Sequence, residues 1–279
     1  MAKVEGKRDG WLGTGDPSTQ RVAGNAPAIL ALHGFGGTPV EVELLMDVAR
    51  GLGLQGLAPV LPGHGTHPDD LAQTRFSDWL RGAEQALSEL YTRGNNQPLC
   101  VAGLSMGSLL ALELALRHPE RVRCLVLMAN ALWLRSPFPA RALDWAGRLR
   151  LPDFQLPKLA SDLGDPVMRK NHLTYASQPV HAAVDLQRAA RRIESRLSEV
   201  RCPTFLVHGA QDRLCPAKNA DLAARAMSRA ETQVLILPRS RHIVTRDIER
   251  RELERRLADY LQEKLELPDQ PGVQTPVEP

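Results

Sequence analysis

Short apolar runs alternate with amphipathic stretches along most of this chain, and this alternation limits its possible folds more than any other feature. Six runs have the length and residue types of buried strands, and helical patterns separate most of them. Since a strand followed by a helix usually leads to a parallel neighbour, the pattern predicts a mostly parallel sheet flanked by helices. The predicted strands cover residues 28–32, 57–60, 99–102, 124–129, 204–207 and 233–237.

The alternation stops for about seventy residues, which contain no obvious buried strand. We predict that residues 131–200 form a small helical cap inserted into an α/β core made of residues 26–130 and 201–266. The polar segment 1–25 and the tail 267–279 are expected to be frayed or disordered.

Bulky aromatic residues are concentrated in the predicted cap, although only 4% of the chain is aromatic. They could line a pocket for an acyl chain, or they could only attach the cap to the core, and the sequence leaves both interpretations open. The candidates for substrate binding are Trp133, Phe138, Trp145 and Phe154.

Composition excludes several classes of function. The chain has 279 residues, enough for one substantial core, and its 35 Lys and Arg are interleaved with 32 Asp and Glu, which argues against nucleic-acid binding. No signal-peptide pattern opens the sequence, so we expect a cytoplasmic protein. The apolar stretch 99–116 is interrupted by glycine and serine and contains Glu113, which disfavours an integral membrane segment. The four cysteines lack metal-ligand spacing, and we expect no metal and no cofactor. No pattern indicates an oligomeric state.

The sequence Gly-Leu-Ser-Met-Gly at 103–107 lies between a predicted strand and a predicted helix. A sharp turn there would hold Ser105 in a strained conformation with its hydroxyl exposed, and the two glycines would let neighbouring backbone pass closely. This context predicts that Ser105 is a nucleophile.

A serine nucleophile needs a base, and the base needs an orienting carboxylate. Asp212 and His242 each follow a predicted strand, and parallel sheets place their functional sites at the carboxyl ends of strands. We therefore predict His242 as the base and Asp212 as its partner.

Other histidines and acids have weaker contexts. We interpret His118 and His172 as surface residues, His208 as a packing residue, His33 and His64 as groups that structure loops, and Asp247 as the cap of the last helix.

The turn His-Gly-Phe-Gly-Gly at 33–37 follows the first core strand. It could present the Phe35 amide to a developing oxyanion, with the amide of Met106 as the second donor. The turn could equally be no more than a tight connection between strand and helix.

Taken in order, HGFGG, PGHG, GLSMG, GAQD and SRH resemble the motifs of the α/β-hydrolase superfamily, and specifically of small bacterial carboxylesterases and monoacylglycerol lipases. The resemblance covers about residues 26–263 and implies the same nucleophile, base, acid and oxyanion donors. It also implies the substrate, a small-molecule ester of a short or medium acyl chain with a simple alcohol or glycerol, hydrolysed without a cofactor. Related esterases often carry a polar residue where this chain has Gly36.

The same fold and triad also serve thioesterases, C–C bond hydrolases, acyltransferases and peroxidases. His64 and Asp69 form an H-x-x-x-x-D string like that of glycerolipid acyltransferases, but the string lies in a loop without the matching helix. A non-catalytic ligand-binding protein is the remaining alternative, and an intact serine, acid and histidine argue against it.

Overall fold

A seven-stranded sheet forms the centre of the molecule in the computed structural model, which describes residues 9–134, 154–158 and 161–268. In chain order the described strands are β1 Trp11–Leu12, β2 Gln20–Val22, β3 Asn25–Leu32, β4 Leu54–Ala58, β5 Leu99–Leu104, β6 Val122–Met128, β7 Gln155–Pro157, β8 Thr174–Tyr175, β9 Ser177–Pro179, β10 Thr204–Gly209 and β11 Thr232–Leu237. The strand order in the central sheet is β11-β10-β6-β5-β3-β4-β2, and every neighbouring pair is parallel except β2 with β4. The predicted mostly parallel sheet is confirmed.

Helices cover both faces of this sheet. Successive side chains of a strand point to opposite faces, so Leu30 of β3 belongs to one buried cluster, whereas Ile29 and Ala31 belong to another. The described helices are α1 Glu43–Gly51, α2 Pro68–Ala72, α3 Phe76–Arg93, α4 Met106–Arg117, α5 Pro166–Asn171, α6 Val180–Glu194, α7 Asn219–Ala226 and α8 Arg250–Lys264. The first cluster includes residues of α3, α4, α6 and α7, and the second includes residues of α1 and α8.

Part of the N-terminal segment that we expected to be frayed forms strands. β1 pairs with β8, and β2 extends the central sheet beside β4. The Trp11 side chain is buried, packs edge-on against Tyr175 with ring centroids 4.6 Å apart, and donates its indole N–H to the Thr66 carbonyl at 3.1 Å. A buried tryptophan with its N–H satisfied is enough to order such a segment.

The described part of the inserted segment contains strands as well as helices. It includes α5 and α6, together with β8 and the antiparallel pair formed by β7 and β9. Pro157 and Pro179 lie in that two-stranded pair, where each strand has a free edge that tolerates proline. Apolar periodicity alone does not identify strands this short.

None of the helices described in residues 9–134, 154–158 and 161–268 has the length and apolar composition needed to cross a membrane.

Candidate active site

Ser105 occupies a strained turn between β5 and α4. Its φ of 55° and ψ of −114° lie in a region that non-glycine residues rarely adopt. The turn is possible because its flanking glycines have no side chains: a Cβ on Gly103 would lie 2.1 Å from the Gly107 carbonyl oxygen, and a Cβ on Gly107 would lie 2.0 Å from the Leu32 carbonyl oxygen. Ser105 thus lies at the carboxyl end of β5, as the motif predicted.

Asp212 and His242 meet at the same edge of the sheet. Asp212 follows β10 and His242 follows β11, and Nδ1 of His242 lies 2.8 Å from Oδ2 of Asp212 in a buried hydrogen bond. The other carboxylate oxygen, Oδ1, accepts the backbone N–H groups of Leu214 and Cys215, each at 2.8 Å. Both oxygens of the acid are therefore held, and Nδ1 of His242 carries the proton that it donates to Oδ2.

Electrostatics favour the charged forms of both partners. Burial alone would raise the pKa of Asp212, but the charge of His242 and the hydrogen bonds from His208, His242 and a backbone amide outweigh burial and lower it. Burial alone would lower the pKa of His242, but the negative charge of Asp212 and its hydrogen bond raise it well above its usual range. A carboxylate that stays ionised makes the imidazole a stronger base.

His208 donates a second hydrogen bond to the same carboxylate. Its Nε2 lies 3.1 Å from Oδ2 of Asp212 and 3.3 Å from the Cys215 carbonyl oxygen, and since both are acceptors, Nε2 must carry the proton. The interpretation of His208 as a packing residue is therefore incomplete. Its position four residues before the acid was the available signal.

Asp247 does not cap the last helix, contrary to our interpretation, since Glu249 occupies the N-cap position of α8. Instead, the buried carboxylate of Asp247 accepts backbone N–H groups from Gly164 and Asp165 of the inserted segment and from Arg241, with distances from 2.7 to 3.0 Å. Asp247 thus links the inserted segment to the loop that contains His242.

His33 and His64 organise the glycine turn, as predicted. The Leu61 N–H donates to Nε2 of His33 at 3.2 Å, so Nδ1 of His33 is protonated and donates to the Gly34 carbonyl at 2.9 Å. The Gly36 N–H donates to Nε2 of His64 at 3.1 Å. Burial lowers the pKa of His33, and burial together with the charge of His33 lowers the pKa of His64 to about 3. Both rings are therefore neutral near pH 7.

The predicted pocket residues lie in different surroundings. Trp133 is half-buried, packs against the first cluster, and donates its indole N–H to Glu194 at 2.9 Å. Phe154 is 54% exposed and immediately precedes β7. Phe138 and Trp145 lie outside the described residues.

His172 is fully buried, so its interpretation as a surface residue is wrong. Its imidazole lies between Glu41 and Ser161 and makes a hydrogen bond to each. No strand end or helix pattern marks residue 172, so nothing local in the sequence predicts this burial.

One group of metal-ligand types in the described part of the chain has its donor atoms within 4.8 Å of one another, and it consists of Asp212, Cys215 and His242. Asp212 and His242 are hydrogen-bonded to each other. Burial raises the pKa of the Cys215 thiol, which keeps it in the protonated form that metals bind poorly. These residues fit an acid–base pair better than a metal centre.

A strained serine after β5 and a buried acid–histidine pair after β10 and β11, on a mostly parallel sheet flanked by helices, define a serine hydrolase of the α/β-hydrolase fold. The model of the family described as "Serine aminopeptidase, S33" matches residues 25–249, and the chain belongs to this family.

Similar proteins with stated activities agree with this assignment. A thermostable monoacylglycerol lipase of Bacillus sp. (strain H-257) is 33% identical over 81% of this chain and 86% of its own length. A carboxylesterase of Bacillus subtilis (strain 168) is 23% identical over 87% and 95% of the two chains. A solved structure from a study of LipS and LipT, two metagenome-derived lipolytic enzymes, superimposes with a TM-score of 0.81 at 27% identity and covers 90% of this chain and 99% of that chain. The protein is a serine ester hydrolase.

Proposed function

We propose that the protein hydrolyses carboxylic esters through an acyl-enzyme intermediate, with Ser105 as nucleophile, His242 as general base and acid, and Asp212 as the orienting carboxylate. The observation that carries this proposal is the buried hydrogen bond between Asp212 and His242 at the sheet edge where Ser105 occupies its strained turn. A serine hydroxyl is too weakly acidic to react alone near neutral pH, and an oriented imidazole removes this obstacle.

The reaction proceeds in two halves. Nε2 of His242 takes the hydroxyl proton as Oγ of Ser105 attacks the ester carbonyl, and the carbonyl oxygen becomes an oxyanion. His242 then gives the proton to the departing alcohol, which leaves an ester between Ser105 and the acyl group. A water molecule, deprotonated by His242, releases the carboxylic acid and restores the serine.

Two backbone amides, those of Phe35 and Met106, stabilise the oxyanion in this proposal. Met106 is the first residue of α4, where an amide has no acceptor within its own helix. In the glycine turn, the amides of Gly34, Gly36 and Gly37 donate to acceptors within the protein at 2.8, 3.1 and 3.2 Å. This pattern favours Phe35 as the residue whose amide serves the reaction.

Short or medium acyl esters and monoacylglycerols are the proposed substrates, because the similar Bacillus proteins are a monoacylglycerol lipase and a carboxylesterase. We place the acyl pocket beneath the inserted segment and assign its lining to Trp133, Phe138, Trp145 and Phe154. Trp133 has the strongest support, since it and Phe35 pack against the cluster that contains Met106.

A two-part experiment tests the proposed function. A fluorophosphonate should label the wild-type protein once, at Ser105, and should not label Ser105→Ala. Wild-type protein should cleave p-nitrophenyl esters from acetate to palmitate, or monoacylglycerols, with a maximum at short or medium chains. Labelling at another residue, or ester cleavage that survives in Ser105→Ala, would refute the assignment of the nucleophile.

A further inference from the structure

A buried carboxylate lies directly behind the glycine turn. Glu41 belongs to a 3-10 helix, Pro39–Val42, that begins two residues after the turn, and its side chain is 3% exposed. Its Oε2 accepts the Gly34 N–H at 2.8 Å. Gly34 is close to the nucleophile, because a Cβ on it would lie 3.5 Å from Cβ of Ser105. A charge is thus held one residue away from the proposed Phe35 donor.

The turn is shaped to receive this carboxylate. A Cβ on Gly37 would lie 2.2 Å from Oε2 of Glu41, far inside the closest distance that a real Cβ makes. Any side chain at position 37 would therefore displace the carboxylate from the Gly34 amide. The fit explains the second of the paired glycines in the turn by contact with Glu41 rather than by backbone flexibility.

The second oxygen of Glu41 binds the inserted segment. Nε2 of His172 lies 3.0 Å from Oε1, and Nδ1 of His172 lies 2.6 Å from Oγ of Ser161. The same segment also holds the other end of the turn, since the hydroxyl of Thr174 and the N–H of Tyr175 both donate to the Gly36 carbonyl at 2.9 Å.

A hydrogen bond and nearby basic groups keep Glu41 ionised. His172 makes the hydrogen bond, Lys158 and His33 act on the carboxylate electrostatically, and Arg246 acts electrostatically on His172. Burial alone would raise the pKa of Glu41, but the bond and charge of His172, then the charges of Lys158 and His33, lower it to about 2. Burial lowers the pKa of His172. At neutral pH a neutral imidazole therefore donates Nε2–H to a carboxylate.

We propose that Glu41 is a positioning residue for the oxyanion hole: it fixes the Gly34 amide with one carboxylate oxygen and His172 of the inserted segment with the other. This inference rests on the proposed role of Phe35. Fixing Gly34 sets the direction of the next amide, and an oxyanion donor is effective only when its direction is set before the reaction. Glu41 itself does not touch the substrate.

Substitutions at Glu41 test the inference, with an exposed neighbour as the matched control. Glu41→Ala should lower kcat by roughly 10- to 100-fold with KM changed less than about threefold, because the oxyanion exists only in the transition state. Glu41→Gln should fall between Glu41→Ala and wild type, since an amide oxygen can still accept from Gly34. The control is Glu43→Gln. Glu43 is the first residue of α1, and its exposed carboxylate pairs with Arg246, so this variant should keep the wild-type kcat.

Gly37→Ala is an independent variant that keeps the glutamate at position 41 but changes the position of its side chain. Its Cβ should displace the carboxylate, so it should lower kcat with the same small change in KM. If the Glu41→Ala protein fails to fold, Gly37→Ala still tests the inference.

A transition-state analogue separates positioning from a purely structural role. Fluorophosphonate titration gives the fraction of active sites, and a trifluoromethyl ketone that matches the preferred acyl chain forms a tetrahedral adduct with the serine. Across wild type, Glu41→Gln and Gly37→Ala, the affinity of the active fraction for this ketone should weaken in proportion to the loss of kcat/KM. Variants that lose only melting temperature and active fraction, with unchanged ketone affinity and kcat per active site, would overturn the inference.

Ser105→Ala, measured alongside, distinguishes this failure from failure of the proposed function. An inactive Ser105→Ala together with wild-type kinetics in Glu41→Gln and Gly37→Ala would reject the positioning role alone. An active Ser105→Ala would reject the mechanism on which the inference rests.

Discussion

At the scale of single residues, the candidate site depends on a carboxylate whose hydrogen-bonding capacity is filled by the protein. Asp212 receives two backbone N–H groups on one oxygen and two imidazoles on the other. Filling the lone pairs of a buried carboxylate stabilises its charge and fixes its direction. The hydrogen bonds to both carboxylate oxygens of Asp212 therefore fix the orientation of His242.

Removing any member of the proposed triad should abolish most of the turnover. Ser105→Ala and His242→Ala should each lower kcat by roughly four or more orders of magnitude, and Asp212→Asn should have a somewhat smaller effect. Steady-state assays, with active sites counted by burst titration, would measure the loss of kcat, and far-UV circular dichroism would check folding. Nearly full activity in Asp212→Asn would require another acid. Asp247 would be tested next, although its carboxylate already binds several backbone amides.

The second imidazole bound to Asp212, that of His208, should contribute to both stability and rate. His208→Leu removes the donor and leaves a buried carboxylate short of one charge-assisted hydrogen bond, which costs about 1.5–3 kcal/mol of stability. We expect kcat to fall by about tenfold, because Asp212 gains freedom to turn away from His242. Urea denaturation and steady-state kinetics measure the two effects. His118→Leu, at a partly exposed position bonded to Glu84, should change neither by a comparable amount.

The pH profile should follow the ionisation of His242. The base must be neutral to accept the serine proton, so kcat/KM should rise with pH as the imidazolium loses its proton. Since Asp212 raises the pKa of His242, the rise should lie above the ordinary histidine range. Asp212→Asn removes that charge, and its residual activity should rise at lower pH. Profiles of both proteins check the direction, and a maximum at about pH 4 would point to paired carboxylates instead.

At the scale of elements, the turn between β5 and α4 requires close backbone contact. Gly107→Ala should destabilise the fold by about 3 kcal/mol or more, because its Cβ would overlap the Leu32 carbonyl oxygen at 2.0 Å. Gly51→Ala is the matched control at the end of α1, where a Cβ meets nothing within 4 Å, and it should stabilise the protein by up to about 1 kcal/mol. Urea midpoints should therefore shift in opposite directions, and equal shifts would contradict this description of the turn.

The sequence predicted elements and residues whose signals are local. The six core strands and the turn at Ser105 are marked by runs of apolar residues and by two glycines at fixed spacing. Each predicted strand overlaps an observed one, although β4 begins three residues before the predicted start and ends at Ala58. The roles of Glu41 and His172 depend on a contact between residues 131 positions apart. A single sequence carries no periodicity that links such positions, so this pair was missed.

At the scale of the whole molecule, the inserted segment contacts the loops that carry Asp212 and His242 and the residue behind the glycine turn. Asp162 accepts the Arg213 N–H next to Asp212 at 2.8 Å. The Gly164 amide binds Asp247, which also holds the Arg241 N–H next to His242. His172 binds Glu41 behind the glycine turn. Docking of the segment and alignment of the site are therefore linked, and changes in the segment can affect both stability and rate.

Because docking of the inserted segment and alignment of the site are linked, the four predicted pocket residues could affect substrate preference, stability or both. If they line the acyl pocket, replacing one with alanine removes contact with about one or two methylenes of the substrate, each worth about 0.8 kcal/mol when buried. The ratio of kcat/KM for butyrate over octanoate esters should then shift several-fold. The four variants are Trp133→Ala, Phe138→Ala, Trp145→Ala and Phe154→Ala.

The alternative is that these side chains only attach the segment to the core. Trp133→Ala would then lower the melting temperature, since the indole N–H holds Glu194 of α6, and the preference between chain lengths would stay as in wild type. Phe154→Ala is the most informative of the four, because a side chain that is 54% exposed contributes little to stability unless a substrate covers it. A shifted ratio with an unchanged melting temperature in Phe154→Ala would support the pocket, whereas four unchanged ratios would contradict it.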